Sequence, residues 1–228
     1  MSKKLLILLI SILALTGCSS GQTEVELIAD GWVQNPMEQG YVLLEELEEQ
    51  GYIFQEELPQ SVKDECKENV FSADCSSINV ENLDQYLNRS DVVYIDLRDY
   101  DDYAKKHFKN FEVIPYFALM FNAEAHSDET KVQLYGGVPT DPIAAYDQSD
   151  AILNEIFPKD KTIFIMCQSG ARVAWMMEIL EAKGYDMSKI YNVGGLGQYT
   201  DAKYAAHITD TLEFTIDVTY SMEGLTRN

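Results

Sequence analysis

An α/β fold with a central, mostly parallel sheet flanked by helices is predicted by three observations. Val92-Val-Tyr-Ile-Asp-Leu97 is the kind of β-branched apolar run that a strand buried on both faces requires. Lys161-Thr-Ile-Phe-Ile-Met166 is a second such run and leads straight into a helical pattern. Ile190-Tyr-Asn-Val193 follows that helix as a third. Strand, loop, helix and strand in this order argue for parallel strands joined by right-handed crossovers.

The chain has 228 residues, 46% of them hydrophobic and 24% charged, with 13 Gly, 6 Pro and 4 Cys. That fits one globular domain with extensions. It excludes general disorder, collagen-like repeats and the small disulfide-framework class. Lys and Arg number 17 against 38 Asp and Glu, for a net charge of −21. A surface this acidic repels phosphate backbones, which argues against nucleic acid as a partner. It also slows the approach of dianionic substrates unless a local cation overrides the field.

Taken in order, the chain opens with Lys3 and Lys4 ahead of an almost wholly apolar run, Leu5 to Leu15. The run is too short to cross roughly 30 Å of hydrocarbon as a helix, but it fits the core of a secretory signal. It ends in Leu15-Thr16-Gly17-Cys18, which resembles a bacterial lipobox. The resemblance implies a signal peptide over 1–17, acyl chains on the Cys18 thiol and a polar tether over 18–24. The expected location is the outer side of the cell membrane, with the lipid on Cys18 as the membrane contact.

Residues 25–76 form an acidic extension in which Val42, Leu43, Leu44 and Leu47 sit among Glu45, Glu46, Glu48 and Glu49, a spacing that predicts an amphipathic helix ending at Gly51. Asn79 is a candidate cap for a short helix carrying Val80, Leu83, Tyr86 and Leu87. Tyr100–Lys106 predicts a short helix and Val113-Ile114 a short strand. Residues 117–148 show little periodicity and read as an insertion or flap. The helix after the second main strand runs from about Ala171 to Lys183, with Val173, Met177 and Leu180 on one face and a stop at Gly184. The tail, 201–228, contains one strand-like piece, Leu212–Tyr220.

The chemistry points to Cys167, which stands where a buried strand ends and a helix begins. Ser169-Gly170 permits the tight loop that such a switch needs. Successive N–H groups in such a loop, backed by the helix dipole, favour negative charge at their centre. The group placed there is the Cys167 sulfur, and a thiolate in that setting is a good nucleophile. Arg172, five residues on, is positioned by spacing to close the ring and balance the charge.

Three segments together resemble the rhodanese-like sulfurtransferases. Ile163–Met166 followed by Cys167-Gln168-Ser169-Gly170-Ala171-Arg172 is similar to their active-site loop. Tyr94-Ile95-Asp96-Leu97-Arg98 is similar to an upstream strand end, and Tyr191-Asn192-Val193-Gly194-Gly195 to the closing strand. Asn79–Leu87 resembles the first helix. The resemblance spans about 77–200 and implies a three-layer rhodanese-like fold. It also implies a cycle in which Cys167 takes sulfane sulfur from a donor as a persulfide and passes it to a thiol acceptor. Gln168, Ser169, Gly170, Ala171 and Arg172 would bind the substrate, with no metal and no organic cofactor. Lys106-His107-Phe-Lys-Asn-Phe111 departs from the family's usual turn, keeping only His107. Arg172 is the loop's only cation, which weakens the case for thiosulfate as donor. Four residues separate Cys167 from Arg172, whereas related phosphatases use five to hold a tetrahedral oxyanion. A catalytically silent binding or redox-sensing module is the alternative function.

Asp96 and Arg98 end a strand beside Cys167 and read either as active-site support or as a structural ion pair. His107, His126 and His207 have no spacing that makes a metal site. Cys66 and Cys75 are open to three readings: an extracytoplasmic disulfide, free thiols, or a sulfur relay with Cys167.

Overall fold

The computed structural model describes residues 32–34, 41–43, 46, 49, 57–209 and 218–228. The signal run, Cys18, the tether and most of Leu212–Tyr220 lie outside these. The chain divides into two units, Met1–Gln50 and Gly51–Asn228. In the first, β1 (Trp32–Gln34) pairs antiparallel with β2 (Tyr41–Leu43), Val33 opposite Val42. Val42 and Leu43 are therefore in a strand and not in the helix that their spacing predicts. β-branched Val42 suits a ladder, and the partner strand is a non-local feature that helical spacing does not register. Glu46 and Glu49 are helical and exposed.

The second unit is built on four parallel strands. These are β3 (Val92–Asp96), β5 (Glu112–Val113), β8 (Thr162–Cys167) and β9 (Ile190–Gly195), in the order β5-β3-β8-β9. The pleat sends alternate residues of β8 to opposite faces. Ile163, Ile165 and Cys167 join one apolar cluster, and Phe164 and Met166 the other. The first cluster is completed by α3 (Ala171–Ala182), whose Val173, Met176, Met177 and Leu180 are buried. On the other face lie Ile78, Leu83, Leu87, Phe108, Phe111, Tyr199 and Tyr204. This is the expected α/β arrangement of a central sheet with both faces covered. α3 ends as its sequence predicts: Gly184 takes φ +75°, and its N–H donates to the Glu181 carbonyl (2.9 Å) while Tyr185 N–H donates to Leu180 (3.0 Å).

Before β3 the chain forms a 3₁₀ turn, Leu83–Tyr86, in place of a regular helix. The Asn79 side chain does not cap that turn; its Oδ1 accepts from Glu81 N–H in a local Asx turn. α1 (Tyr100–Lys105) follows β3, and β4 (His107–Phe108) pairs antiparallel with β10 (Ile208–Thr209).

Residues 117–148 carry more order than their weak periodicity predicts. A single π-helical turn, Tyr116–Met120, precedes the hairpin of β6 (Tyr135–Val138) and β7 (Asp141–Ala144), and α2 (Ser149–Ile156) follows. Met120, Ala125, Leu134, Tyr135, Ala145 and Tyr146 are buried with α3, so the stretch is a wall of the core and not a flap over it. The C-terminus laces onto this wall. Arg227 donates to the carbonyls of Ala125, Asp128 and Lys131, and Asn228 N–H donates to Ala145.

Residues 57–76, which the composition groups with the acidic extension, lie against the edge strand β9. Tyr191 donates its hydroxyl to the Pro59 carbonyl (2.5 Å), and Ser61 donates to Met187 (2.9 Å). Cys66 and Cys75 are joined as a disulfide, so of the three readings the structure takes the bonded pair.

Candidate active site

Cys167 is the last residue of β8, and its neighbour in the ladder is Gly195 at the end of β9. Between Ile165 opposite Asn192 and Cys167 opposite Gly195, β9 carries one residue more than β8. Gly194, at φ +83°, absorbs that bulge. The bulge presses the end of β9 onto the Cys167 loop. A Cβ on Gly195 would stand 2.1 Å from the Gln168 carbonyl oxygen and 2.3 Å from Ser169 N, so only a glycine lets the two segments meet.

The loop turns back at Gly170, at φ +92°, and α3 begins at Ala171. This left-handed geometry aims the Gly170 N–H at the Cys167 Sγ, 3.1 Å away. The sulfur is buried, with Cys167 only 1% exposed, while Gln168 and Ser169 stand in solvent above it. Ala171, Arg172 and Val173 contribute the first N–H groups of α3, which by position have no carbonyl four residues back within the helix. The arrangement places one donor hydrogen, that of Gly170, beside the sulfur at the N-terminal end of a twelve-residue helix.

Behind the loop sits Asn192, 2% exposed. Its amide nitrogen donates to the Gly170 carbonyl (3.0 Å) and to the Phe71 carbonyl (2.7 Å), and its oxygen accepts from Gly194 N–H (3.0 Å). An asparagine inside the apolar run Ile190–Val193 was the available signal for this role. By sequence Asn192 belongs to the closing strand, Tyr191–Gly195, and is not among the candidate site residues.

Arg172 does not close a ring around the sulfur. Its Nη1 donates to the Leu97 carbonyl (3.3 Å) and lies 3.8 Å from the Asp99 carboxylate, and the guanidinium stands 5.6 Å over the Phe117 ring. Its partners are Asp99 and the Leu97 carbonyl, just past the end of β3. Phe117 and Trp175, 50% and 43% exposed with rings 6.4 Å apart, form an apolar patch beside it. Neither these rings nor Asp99 carries a sequence signal that links it to Cys167.

Asp96 and Arg98 sit at the end of β3, where Asp96 is opposite Met166, but they serve each other. Arg98 donates Nε and Nη2 to the Asp96 carboxylate, with the closest approach 2.6 Å. Its remaining donors reach the carbonyls of Asp102 (3.1 Å) and Lys106 (2.7 Å) and so hold α1 to the sheet. Desolvation lifts the Asp96 carboxyl above its ordinary range, and the guanidinium opposes that shift. The pair is structural. His107 lies stacked on Tyr103 at 3.9 Å, with Nδ1 2.8 Å from the Tyr103 carbonyl, and orders its own turn. Among the described residues no group of His, Cys, Asp or Glu could hold a metal ion. No described helix is long and apolar enough to cross a membrane.

Comparison with known proteins bears on the family of the chain. The sequence profile of the Rhodanese-like domain matches residues 79–202. No curated protein matches the chain. A solved structure described as rhodanese with anions from E. coli shares 19% identity, covering 48% of this chain and 92% of that one. The TM-score of that likeness is 0.30. The profile spans more than half of the sequence, including β3, β8, the Cys167 loop and β9, and on that ground the chain belongs to the rhodanese-like domain family.

Proposed function

We propose that this protein is a sulfurtransferase that works outside the cytoplasm, held to the membrane by lipid on Cys18, and carries sulfane sulfur as a persulfide on Cys167. The single observation that carries the reading is the Gly170 N–H directed at the Cys167 Sγ from 3.1 Å, in a loop that opens a helix. Fixed donors of this kind stabilise charge on sulfur without reorganising. In the first step the Cys167 thiolate attacks the outer sulfur of a donor R–S–S⁻. The new Cys167 S–S bond forms as the donor's S–S bond breaks, and its electron pair leaves on RS⁻. In the second step an acceptor thiolate attacks the outer sulfur, takes it as a new persulfide and returns the Cys167 thiolate. No oxidant or reductant is consumed.

Thiol-borne persulfides are the favoured donors over dianionic ones. The net charge is −21, and the loop's one cation, Arg172, already faces Asp99. The Cys66–Cys75 disulfide supports an oxidising compartment and therefore the extracytoplasmic location.

Transfer from a small organic persulfide to a thiol acceptor tests the reading. Wild-type protein should sustain turnover, and Cys167→Ala should abolish it while the circular dichroism stays unchanged. One observation favours a silent binding module instead: Cys167 is only 1% exposed. That second reading requires Cys167→Ala to match wild type in transfer while a binding partner is retained.

A further inference from the structure

We infer that the disulfide-closed segment Cys66–Cys75 positions the reacting sulfur, and that Asn192 is the positioning residue through which it acts. The chemical meaning of this role rests on Cys167 being the sulfur carrier, but the geometry stands without it. Phe71 and Ala73 lie inside the loop that the disulfide closes. The Phe71 carbonyl accepts from Asn192 Nδ2 at 2.7 Å, and the same nitrogen donates to the Gly170 carbonyl at 3.0 Å. Ala73 lies against the same turn, where a Cβ on Gly170 would stand 3.0 Å from the alanine methyl.

Gly170 is therefore held by its carbonyl, and its N–H is the donor to Cys167 Sγ. Asn192 cannot rotate freely, because its oxygen accepts from Gly194 N–H at the bulge of β9. Both hydrogens of the amide and its oxygen are thus engaged, and the side chain is 2% exposed. The segment 66–75 has little core of its own. Without a covalent closure the Phe71 carbonyl has more conformations to leave for. The disulfide keeps that carbonyl in place, the carbonyl fixes the asparagine, and the asparagine sets the angle of the Gly170 peptide.

Amide hydrogen exchange at Gly170 tests this directly, with Ile165 in β8 as the internal reference for global stability. Three variants are compared with wild type in the full chain: Cys66→Ser/Cys75→Ser, Asn192→Asp, and their combination. Asn192→Asp keeps the acceptor for Gly194 and removes both donated bonds. The expected result is that Gly170 exchange accelerates about tenfold more than Ile165 in each variant, the scale of one lost neutral hydrogen bond. The combined variant should exceed either by no more than about twofold, because both act on one path. Saturation with an organic persulfide should show the maximal rate of Cys167 sulfuration lowered and the half-saturating donor concentration unchanged. Gly170 exchange that tracks Ile165, or effects that multiply in the combined variant, would overturn the inference. If the variants do not fold, the same Gly170-to-Ile165 ratio is read in wild-type protein before and after reduction of the disulfide by a small dithiol, with the same criteria. If wild-type Cys167 takes up no sulfur but the exchange pattern holds, the functional reading fails and the positioning inference stands.

Discussion

Replacing Gly195 by alanine should disable the Cys167 loop while leaving the fold in place. The residue is at φ −133° and ψ 145°, extended backbone open to any side chain, so the substitution carries no conformational penalty of its own. The penalty is contact. The new methyl would lie 2.1 Å from Gln168 O, 2.2 Å from Gln168 C and 2.3 Å from Ser169 N, all main-chain atoms that no rotamer change can clear. Relief requires the loop and β9 to part by about 1 Å, and a misplacement of that size costs about a hundredfold in rate when it falls on a reacting group. Overpacking of this kind should also lower stability by about 1–3 kcal/mol. Sulfuration of Cys167 by an organic persulfide, followed in time by mass spectrometry, gives the rate, and urea unfolding gives the stability. Gly184→Ala is the control. Its φ is +75° with nothing within 4 Å, so it should lose about 1 kcal/mol of stability and keep the wild-type rate. A Gly195→Ala protein that sulfurates at the wild-type rate would refute the claim that β9 sets the position of the loop.

The other predictions concern the frame around the site. Arg98→Met should cost about 3–5 kcal/mol in urea unfolding because it strands the buried Asp96 carboxylate, and Asp96→Leu/Arg98→Met should recover much of that loss. Cys66→Ser/Cys75→Ser should lower stability by about 2–3 kcal/mol for a closed loop of this length. Asp84 gives a pH signature. Burial works to raise its pKa, but the hydrogen bond and charge of Lys203 outweigh this and hold it below 3.8. A carboxyl depressed on folding contributes stability above its unfolded value and loses it as pH falls through the folded one. The stability difference between wild type and Asp84→Asn should therefore be full at neutral pH and vanish in acid well below 3.8.

The parts of this architecture legible in the sequence are those whose causes are local. β8, its loop and α3 follow from one apolar run, one tight turn and one helical stretch closed by Gly184, and each lies within a few residues of its signal. The direction of Arg172 was not legible. Spacing brings it near Cys167, but the choice between the thiol and the Asp99–Leu97 pair depends on how β3 exits beside β8. Residues 117–148 hide a wall of the core because a π turn and two four-residue strands are too short to establish a period. The role of 57–76 is likewise tertiary: its acidic composition says solvent, while the Phe71 carbonyl reaches Asn192 and the Pro59 carbonyl reaches Tyr191, both in β9. Asn192 was readable in part, since a polar residue in a buried strand needs partners.

The central claim is that Cys167 carries sulfur, and the mass of its peptide after incubation with an organic persulfide and gel filtration tests it most directly. The account predicts a gain of one sulfur atom on the peptide that contains Cys167, removed when a thiol acceptor is added. An unmodified peptide from folded protein whose Cys167 still reacts with an alkylating agent would contradict it.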